Sequence, residues 1–312
     1  MARTLVTGGA GFIGSQLTEQ LLERGDEVVV VDDFSSGRRE WVADDATLVE
    51  RDLTDPGALE GVLTADIDRV FHLAASKAVD TETPHEQFRR NTQLTATVLQ
   101  AMHDAGVSEL AYTSSSTVYG EAPRPTPEDH SPLEPISMYG ASKLADEGLL
   151  STYAYSHDMT VWNVRFANIV GPRLRGAVIP DFIDKLRADP TTLTILGDGR
   201  QQKSYMHVSD CIDALLTVVE STNEPMNTFN LGTQTTTSVT QIAGIVSDEL
   251  GLEPAYEYTG GDRGWVGDVP KMRLAIDNLC DLGWEPTLES DQAVRRATAE
   301  LITELEHQPP VA

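Results

Sequence analysis

The chain is short of cysteine, of long apolar runs and of positive charge, and each shortage removes a class of protein. Cys211 and Cys280 are the only two cysteines in 312 residues, far apart and outside any CxxC or Cys/His cluster. That excludes a disulfide framework; the seven scattered histidines lack metal-ligand spacing, so no metal is expected. Both cysteines are expected to be buried thiols in a reducing cytoplasm. No apolar run approaches the ~18 residues that a membrane span needs, and the longest candidate, "EVVVVDD", reads as a buried strand. The start "MARTLVTGG" runs straight into strand and turn without the shape of a signal peptide. A cytoplasmic protein with no membrane partner is the expectation.

Lys and Arg total 23 against 49 Asp and Glu, a formal net charge of −26, and only five of the basic residues are lysine. A field of that sign repels phosphate backbones, so nucleic acid is not an expected partner. The acid is spread along the chain ("VADDAT", "TADIDR", "PEDH") and not gathered in one tail. It reads either as a solvated acidic surface or as halophilic adaptation to a salt-rich cytoplasm, where screening removes self-repulsion.

What is present is an alternation of strand and helix patterns. "RTLVTG", "EVVVVDD", "DRVFHLAA", "ELAYTSSS" and "MTVWNVRF" are short apolar runs; "FIGSQLTEQLLERG" and residues 84–105 carry helical periodicity between them. Such βαβ alternation predicts an α/β fold with a Rossmann-type, doubly wound parallel sheet. After residue 168 the chain turns to glycine-, proline- and arginine-rich loops around shorter elements. This predicts a main domain over 1–168, with 204–232 returning to it, and a smaller C-terminal lobe from 169–203 and 233–312. The tail "EHQPPVA" reads as disordered.

Between the first strand and first helix, "LVTGGAGFIGSQL" places Gly8, Gly11 and Gly14 in a GxxGxxG turn. Glycines there let the backbone approach a pyrophosphate, whose charge sits at the helix N-terminus. The spacing differs from the common GxGxxG fingerprint, and the strand-turn-helix context is what supports it. Asp32, 18 residues past Gly14 at the end of the second strand, can accept hydrogen bonds from an adenosine ribose. That carboxylate would repel a 2′-phosphate, which favours NAD over NADP. Asp33 is the weaker partner, turned away by strand alternation.

"SMYGASK" puts Tyr139 and Lys143 four residues apart, on one face of a helix that starts after a proline-rich run. One reading is a solvated helix surface. The other is a general base: an ammonium at i+4 and an oxidised nicotinamide would lower the phenol from about 10, three units costing about 4 kcal/mol.

The glycine turn, the Asp at the second strand's end, "RDLTD", "FHLAA", "SSSTVYG", "YGASK" and "VRFANIVGPR" occur in this order. Together, over nearly the whole chain, they resemble the extended short-chain dehydrogenase/reductase superfamily, specifically its NAD-dependent nucleotide-sugar epimerases and dehydratases. The resemblance implies catalytic roles for Ser115, Tyr139 and Lys143, with Thr117 a second polar contact; Ser114 is a cofactor neighbour or, like Ser116, a loop residue. It implies a cofactor lining of Gly8, Gly11, Phe12, Ile13, Gly14, Asp32, Asp33, Ser36, Gly37, Asp52, Leu53, Leu73, Ala74, Ala75, Lys77, Asn91, Ser114, Tyr139, Lys143 and Phe166. For the substrate it implies Lys77, Ser115, Thr117, Tyr139, Asn168 at the diphosphate, Val178, Ile179, Phe182, Leu193 and Ile195 around the base, then Lys203, Arg263 and Asp268. Lys203 stands where many relatives have arginine, a point charge in place of a planar fork; Arg263 also reads as a surface ion pair.

Relatives that eliminate water carry an Asp-Glu pair directly after the serine or threonine, and relatives that decarboxylate carry a glutamate before "VYG". "SSSTVYG" has neither. The resemblance therefore implies 4-epimerisation of a UDP-hexose, UDP-glucose and UDP-galactose first. The alternatives are another UDP-sugar, N-acetylated or acidic, simple oxidoreduction, or a non-catalytic NAD-binding sensor. It also implies a homodimer, built where Leu94, Val98, Leu99, Leu144, Leu149 and Leu150 line helices that pair with a second copy.

Overall fold

The short apolar runs fold as strands: β1 (Arg3–Thr7), β2 (Glu27–Asp32), β3 (Thr47–Glu50), β4 (Arg69–His72), β5 (Glu109–Ser115) and β6 (Thr160–Phe166). Three helices accompany them: α1 (Phe12–Glu23), α2 (Pro84–Ala105) and α3 (Met138–Ser156). The computed structural model describes residues 1–77, 83–265 and 267–306, so the end of the chain read as disordered lies outside the described residues from 307 on. The chain groups into two units. The first takes 1–118, 133–165 and 215–229; the second takes 119–132, 166–214 and 230–312.

A seven-stranded sheet runs in the order Met226–Leu231, β6, β5, β4, β1, β2, β3. The pairs β1–β2, β1–β4, β2–β3 and β4–β5 are parallel, with Leu5 opposite Val29 on one side and Val70 on the other. This is the expected Rossmann-type sheet. The strand order reverses between β1 and β4, and a ligand crevice opens beyond the carboxyl ends of strands at such a switch point. β3 escapes the sequence reading because "TLVE" is an edge strand with no buried residue, paired only along Val29 to Asp32 of β2.

The helices begin and end for local reasons. Pro84 opens α2 at its first turn, where its missing N–H costs nothing, and Gly106 closes it in the left-handed region at φ +72°. Ser137 caps α3, its hydroxyl accepting the Gly140 N–H at 3.1 Å. The core of this unit packs Leu5, Val29, Val31 and Val70 against Leu94, Val98, Leu99 and Leu150. Four of the leucines and valines expected at a dimer interface therefore lie in the unit's own core; Leu144 and Leu149 keep partial exposure.

The second unit is built from small sheets. Asn168–Val170 pairs in parallel with Tyr205–His207, and Thr192–Ile195 with Ala255–Tyr258; Gln202–Lys203 lies between Thr237–Ser238 and Lys271–Met272. Helices Val178–Ala188, Val239–Leu250 and Ser290–Glu306 flank them. Among the described residues no helix is long and apolar enough to cross a membrane. Cys211 is buried and Cys280 only partly so, short of the full burial expected for it.

The net charge of −26 has a consequence for stability. Surface pairs such as Arg24–Glu220 and Arg69–Glu109 neutralise little of it, and exposed pairs are worth at most about 1 kcal/mol. Self-repulsion acts over about 10 Å at 0.1 M salt and about 3 Å at 1 M. The melting temperature is expected to rise with salt when NAD is saturating in every sample; a salt-independent value would refute the idea.

Candidate active site

The glycine turn and the loop after β4 meet at the switch point. Gly8 has φ +69°, and a Cβ on it would stand 2.7 Å from the Ala74 amide nitrogen. Gly11 N–H donates to the Gly8 carbonyl, and a Cβ on Gly14 would stand 2.9 Å from Gly9 Cα. The cap position of α1, Gly11, carries no side chain over the first N–H groups, so they face an anion without competition. Ser36 and Gly37 fold back onto this turn: Arg38 N–H donates to the Ala10 carbonyl, and a Cβ on Gly37 would stand 2.9 Å from Ala10. Phe12 and Ile13 are partly buried at the start of α1, and Leu53 is buried. A backbone cradle that any Cβ would fill fits a pyrophosphate.

Asp32, the acid expected at the ribose, shapes the turn. Its Oδ2 accepts the Ala10 N–H at 2.9 Å and its Oδ1 the Phe34 N–H at 2.8 Å. Burial raises the Asp32 carboxyl above its ordinary range against those bonds, and a ribose hydroxyl would add a third donor. NAD is expected to bind far more tightly than NADP. Asp32→Ala is expected to narrow that preference and weaken NAD, read by calorimetric titration of both cofactors. Equal wild-type affinities would show the acid has another purpose.

Arg90 of α2, outside every sequence motif, ties together two of the predicted acids. Its Nη2 lies 2.5 Å from Asp33 Oδ2 and 3.1 Å from Asp52 Oδ2. Asp52 also accepts from the Thr54 N–H and hydroxyl, and these bonds with Arg90 hold it below its usual range although burial pushes up. Asn91 proves to be a staple: its side chain bonds both backbone groups of Ser76 at 2.8 and 3.0 Å and donates to the Ser142 hydroxyl at 3.0 Å. It fixes the loop carrying Leu73, Ala74 and Ala75 against α3, with Lys77 exposed beyond it.

The end of β5 and the start of α3 are locked to each other. A Cβ on Gly140 would stand 2.7 Å from the Thr117 carbonyl oxygen, so only glycine lets Tyr139 come this close to the serine segment. Lys143 Nζ donates to the Thr113 carbonyl at 2.7 Å. Ser115 and Ser114 alternate across the strand. Ser115 Oγ accepts from the Thr117 hydroxyl at 2.9 Å, whereas Ser114 donates at 2.6 Å to Glu147, which is paired with Arg165. Ser114 is thus held on the far side, and Ser116 is buried.

Lys143 at i+4 does not by itself acidify Tyr139: burial, then the Asp146 charge, push the phenol up to about 12. The ammonium sits 5.9 Å from the Tyr139 ring and is occupied by Thr113. The sequence shows the i+4 spacing but not the Asp146 charge folded against the phenol.

In the second unit the predicted substrate residues fall into two sets. Ile179, Phe182, Leu193 and Ile195 are core side chains, so only their backbone and the partly buried Val178 remain for a ligand. Leu196, which follows them in "LTIL", is half exposed. Lys203, Arg263 and Asp268 come together: Lys203 Nζ lies 2.5 Å from Asp268 Oδ1, and Arg263 donates to the Asp268 carbonyl and pairs with Glu121. Asn168 begins a strand beside Ser204, and Phe166 is buried at the end of β6.

A dinucleotide cradle leading to a tyrosine beside a buried lysine is the equipment of an enzyme that oxidises hydroxyls with a nicotinamide cofactor. The chain belongs to the NAD dependent epimerase/dehydratase family, whose model matches residues 4–232, and its cofactor is NAD. A solved UDP-galactose 4-epimerase is 44% identical with a TM-score of 0.89, covering 97% of this chain and 99% of its own. UDP-glucose 4-epimerase of Mycolicibacterium smegmatis is 33% identical over 94% of this chain and 96% of its own length. UDP-glucuronic acid decarboxylase 4 of Arabidopsis thaliana is 31% identical over 94% of this chain and 67% of its own.

Proposed function

We propose that this enzyme epimerises C4 of a UDP-hexose, with UDP-glucose and UDP-galactose as the pair. NAD supplies the means of oxidising C4 and of reducing it again. Gly8, Gly11, Gly14 and Asp32 hold NAD. Tyr139 takes the proton of the C4 hydroxyl and gives it back; Ser115 holds that oxygen by hydrogen bond; Lys143 is the buried cation beside them. The C4 ketone formed in between needs no further acid, only freedom to present its other face. Lys203, Arg263 and Asp268 are the nucleotide's handle, with Asn168 and Lys77 polar neighbours of the substrate.

The observation that carries this reading is Thr117. By resemblance, decarboxylating relatives place a glutamate at this position, and eliminating relatives an acid pair beginning next to Ser115. Here the position holds a hydroxyl bonded to Ser115 at 2.9 Å. The acid–base group that those relatives carry for elimination or decarboxylation is lacking here, which supports return of the hydride to the keto sugar.

The test is incubation with UDP-glucose, UDP-galactose, UDP-N-acetylglucosamine, UDP-glucuronic acid and their dTDP and GDP counterparts, with products resolved chromatographically. Interconversion of UDP-glucose and UDP-galactose is expected. Carbon dioxide from UDP-glucuronic acid, stoichiometric NADH, or no turnover at all would each overturn the proposal.

A further inference from the structure

Two turns along α3 from Tyr139 lies a buried carboxylate, Asp146, that the reaction as written does not use. Lys143 is 2% exposed, and its hydrogen bond to Thr113 goes to a neutral carbonyl. Two carboxylates follow on the next turn of α3, Asp146 and Glu147. Glu147 is committed elsewhere: Arg165 binds both its oxygens at 3.0 and 2.7 Å, and Ser114 donates to it. Asp146 is different. Its Oδ2 accepts the Tyr112 hydroxyl at 2.6 Å, and its Oδ1, closed to solvent, has no partner at bonding distance among the described residues. Tyr112 links the two charges: its ring lies 4.5 Å from Lys143 Nζ while its hydroxyl holds Asp146.

A buried carboxylate that lacks a full set of donors costs stability unless a cation lies near it, and a buried ammonium on a carbonyl loses its proton readily. Each charge needs the other. Resting on the epimerase reading for its catalytic consequence, we propose that Asp146 is a positioning residue, the counter-charge that keeps Lys143 an ammonium beside Tyr139.

The surrounding groups leave that task to Asp146. From β4, His72 is neutral: burial and then the Lys143 charge push it down to about 3, while its ring bonds Thr7 and Thr95 hydroxyls. From β5, burial and Asp146 keep the Tyr112 phenol protonated. From α3, Tyr139 is protonated and Glu147 is matched by Arg165 of β6. The Thr95 hydroxyl of α2 adds a neutral contact to Asp146. Burial pulls Lys143 down to about 8, against Asp146 first and Glu147 second. Burial likewise raises Asp146 to about 6, against the pull of Lys143. Both are charged together only between these two values. Below about 6 the carboxyl takes a proton, and above about 8 the ammonium gives one up.

The experiment follows the Lys143 side chain by NMR in protein grown with lysine carbon-labelled at Cε, without NAD. Only four other lysines compete, and Lys143→Met assigns the signal. In the wild type the midpoint is expected near 8. Asp146→Asn keeps the shape and an acceptor for Tyr112 but removes the charge; the midpoint is expected to fall by about one unit or more. The alkaline limb of the epimerisation rate should move with it, which a merely structural role would not produce. If Asp146→Asn does not fold, Tyr112→Phe serves: losing the donor, Asp146 should protonate at higher pH, moving the acid inflection of the Lys143 signal upward. A Lys143 midpoint unmoved by Asp146→Asn, or an acid inflection unmoved by Tyr112→Phe, would overturn the proposal. The titration reads the pair with or without turnover. A shifted midpoint in a protein that converts no sugar supports the pair and sinks only the epimerase reading.

Discussion

Tyr139→Phe is expected to leave a folded protein that binds NAD and interconverts sugars about 10²–10⁴-fold more slowly. The ring still fills its half-buried place on α3, and the Ser137 cap and the Gly140 contact with Thr117 are untouched. Only the oxygen proposed to exchange a proton with the sugar is gone. The phenol pushed up to about 12 makes the expectation sharper. A phenol raised in this way is expected to serve as a base only with the positive charge of a bound cofactor near it. Turnover near wild type by the folded, NAD-loaded variant would mean that another group takes the proton and that "SMYGASK" is only a helix surface.

Gly14→Ala is expected to weaken NAD by about 10- to 100-fold, the equivalent of about 1–3 kcal/mol of overpacking. The new methyl would run into the Gly8 carbonyl and stand 2.9 Å from Gly8 C and Gly9 Cα. These are backbone atoms of the turn itself, so relief must come from opening the cradle. Gly244→Ala is the control: within Val239–Leu250 a Cβ there meets nothing within 4 Å, and the change should stabilise by about 0.5–1 kcal/mol. Unchanged NAD affinity in Gly14→Ala, measured calorimetrically beside that control, would show the turn to be ordinary loop.

The sheet was legible because a parallel sheet buried on both faces leaves continuous apolar runs, and "EVVVVD" and "ELAYTSS" are such runs. β3 was not, since an edge strand needs no apolar face. Motif spacing and the family resemblance pointed to Gly8, Gly14, Asp32, Ser115, Tyr139 and Lys143 as candidates, because such chemistry depends on residue type at fixed separation. It could not deliver Arg90, Tyr112 or Asp146. Their partners lie 34 to 57 residues away in the chain, and only folding brings them within bonding distance. Nor could it tell a cofactor-lining Asn91 from one that staples a loop, since both uses want the same amide.

Gly140 also sets a limit on heredity. It contributes no atom to the chemistry, and a single base change in its codon can make it alanine. A Cβ there would meet the Thr117 carbonyl oxygen at 2.7 Å and the Pro135 side chain at 3.0 Å. The neighbouring tyrosine would be displaced without being altered. The codon after the proposed base is therefore expected to tolerate almost no other amino acid, although the glycine it encodes has no side chain to offer a substrate.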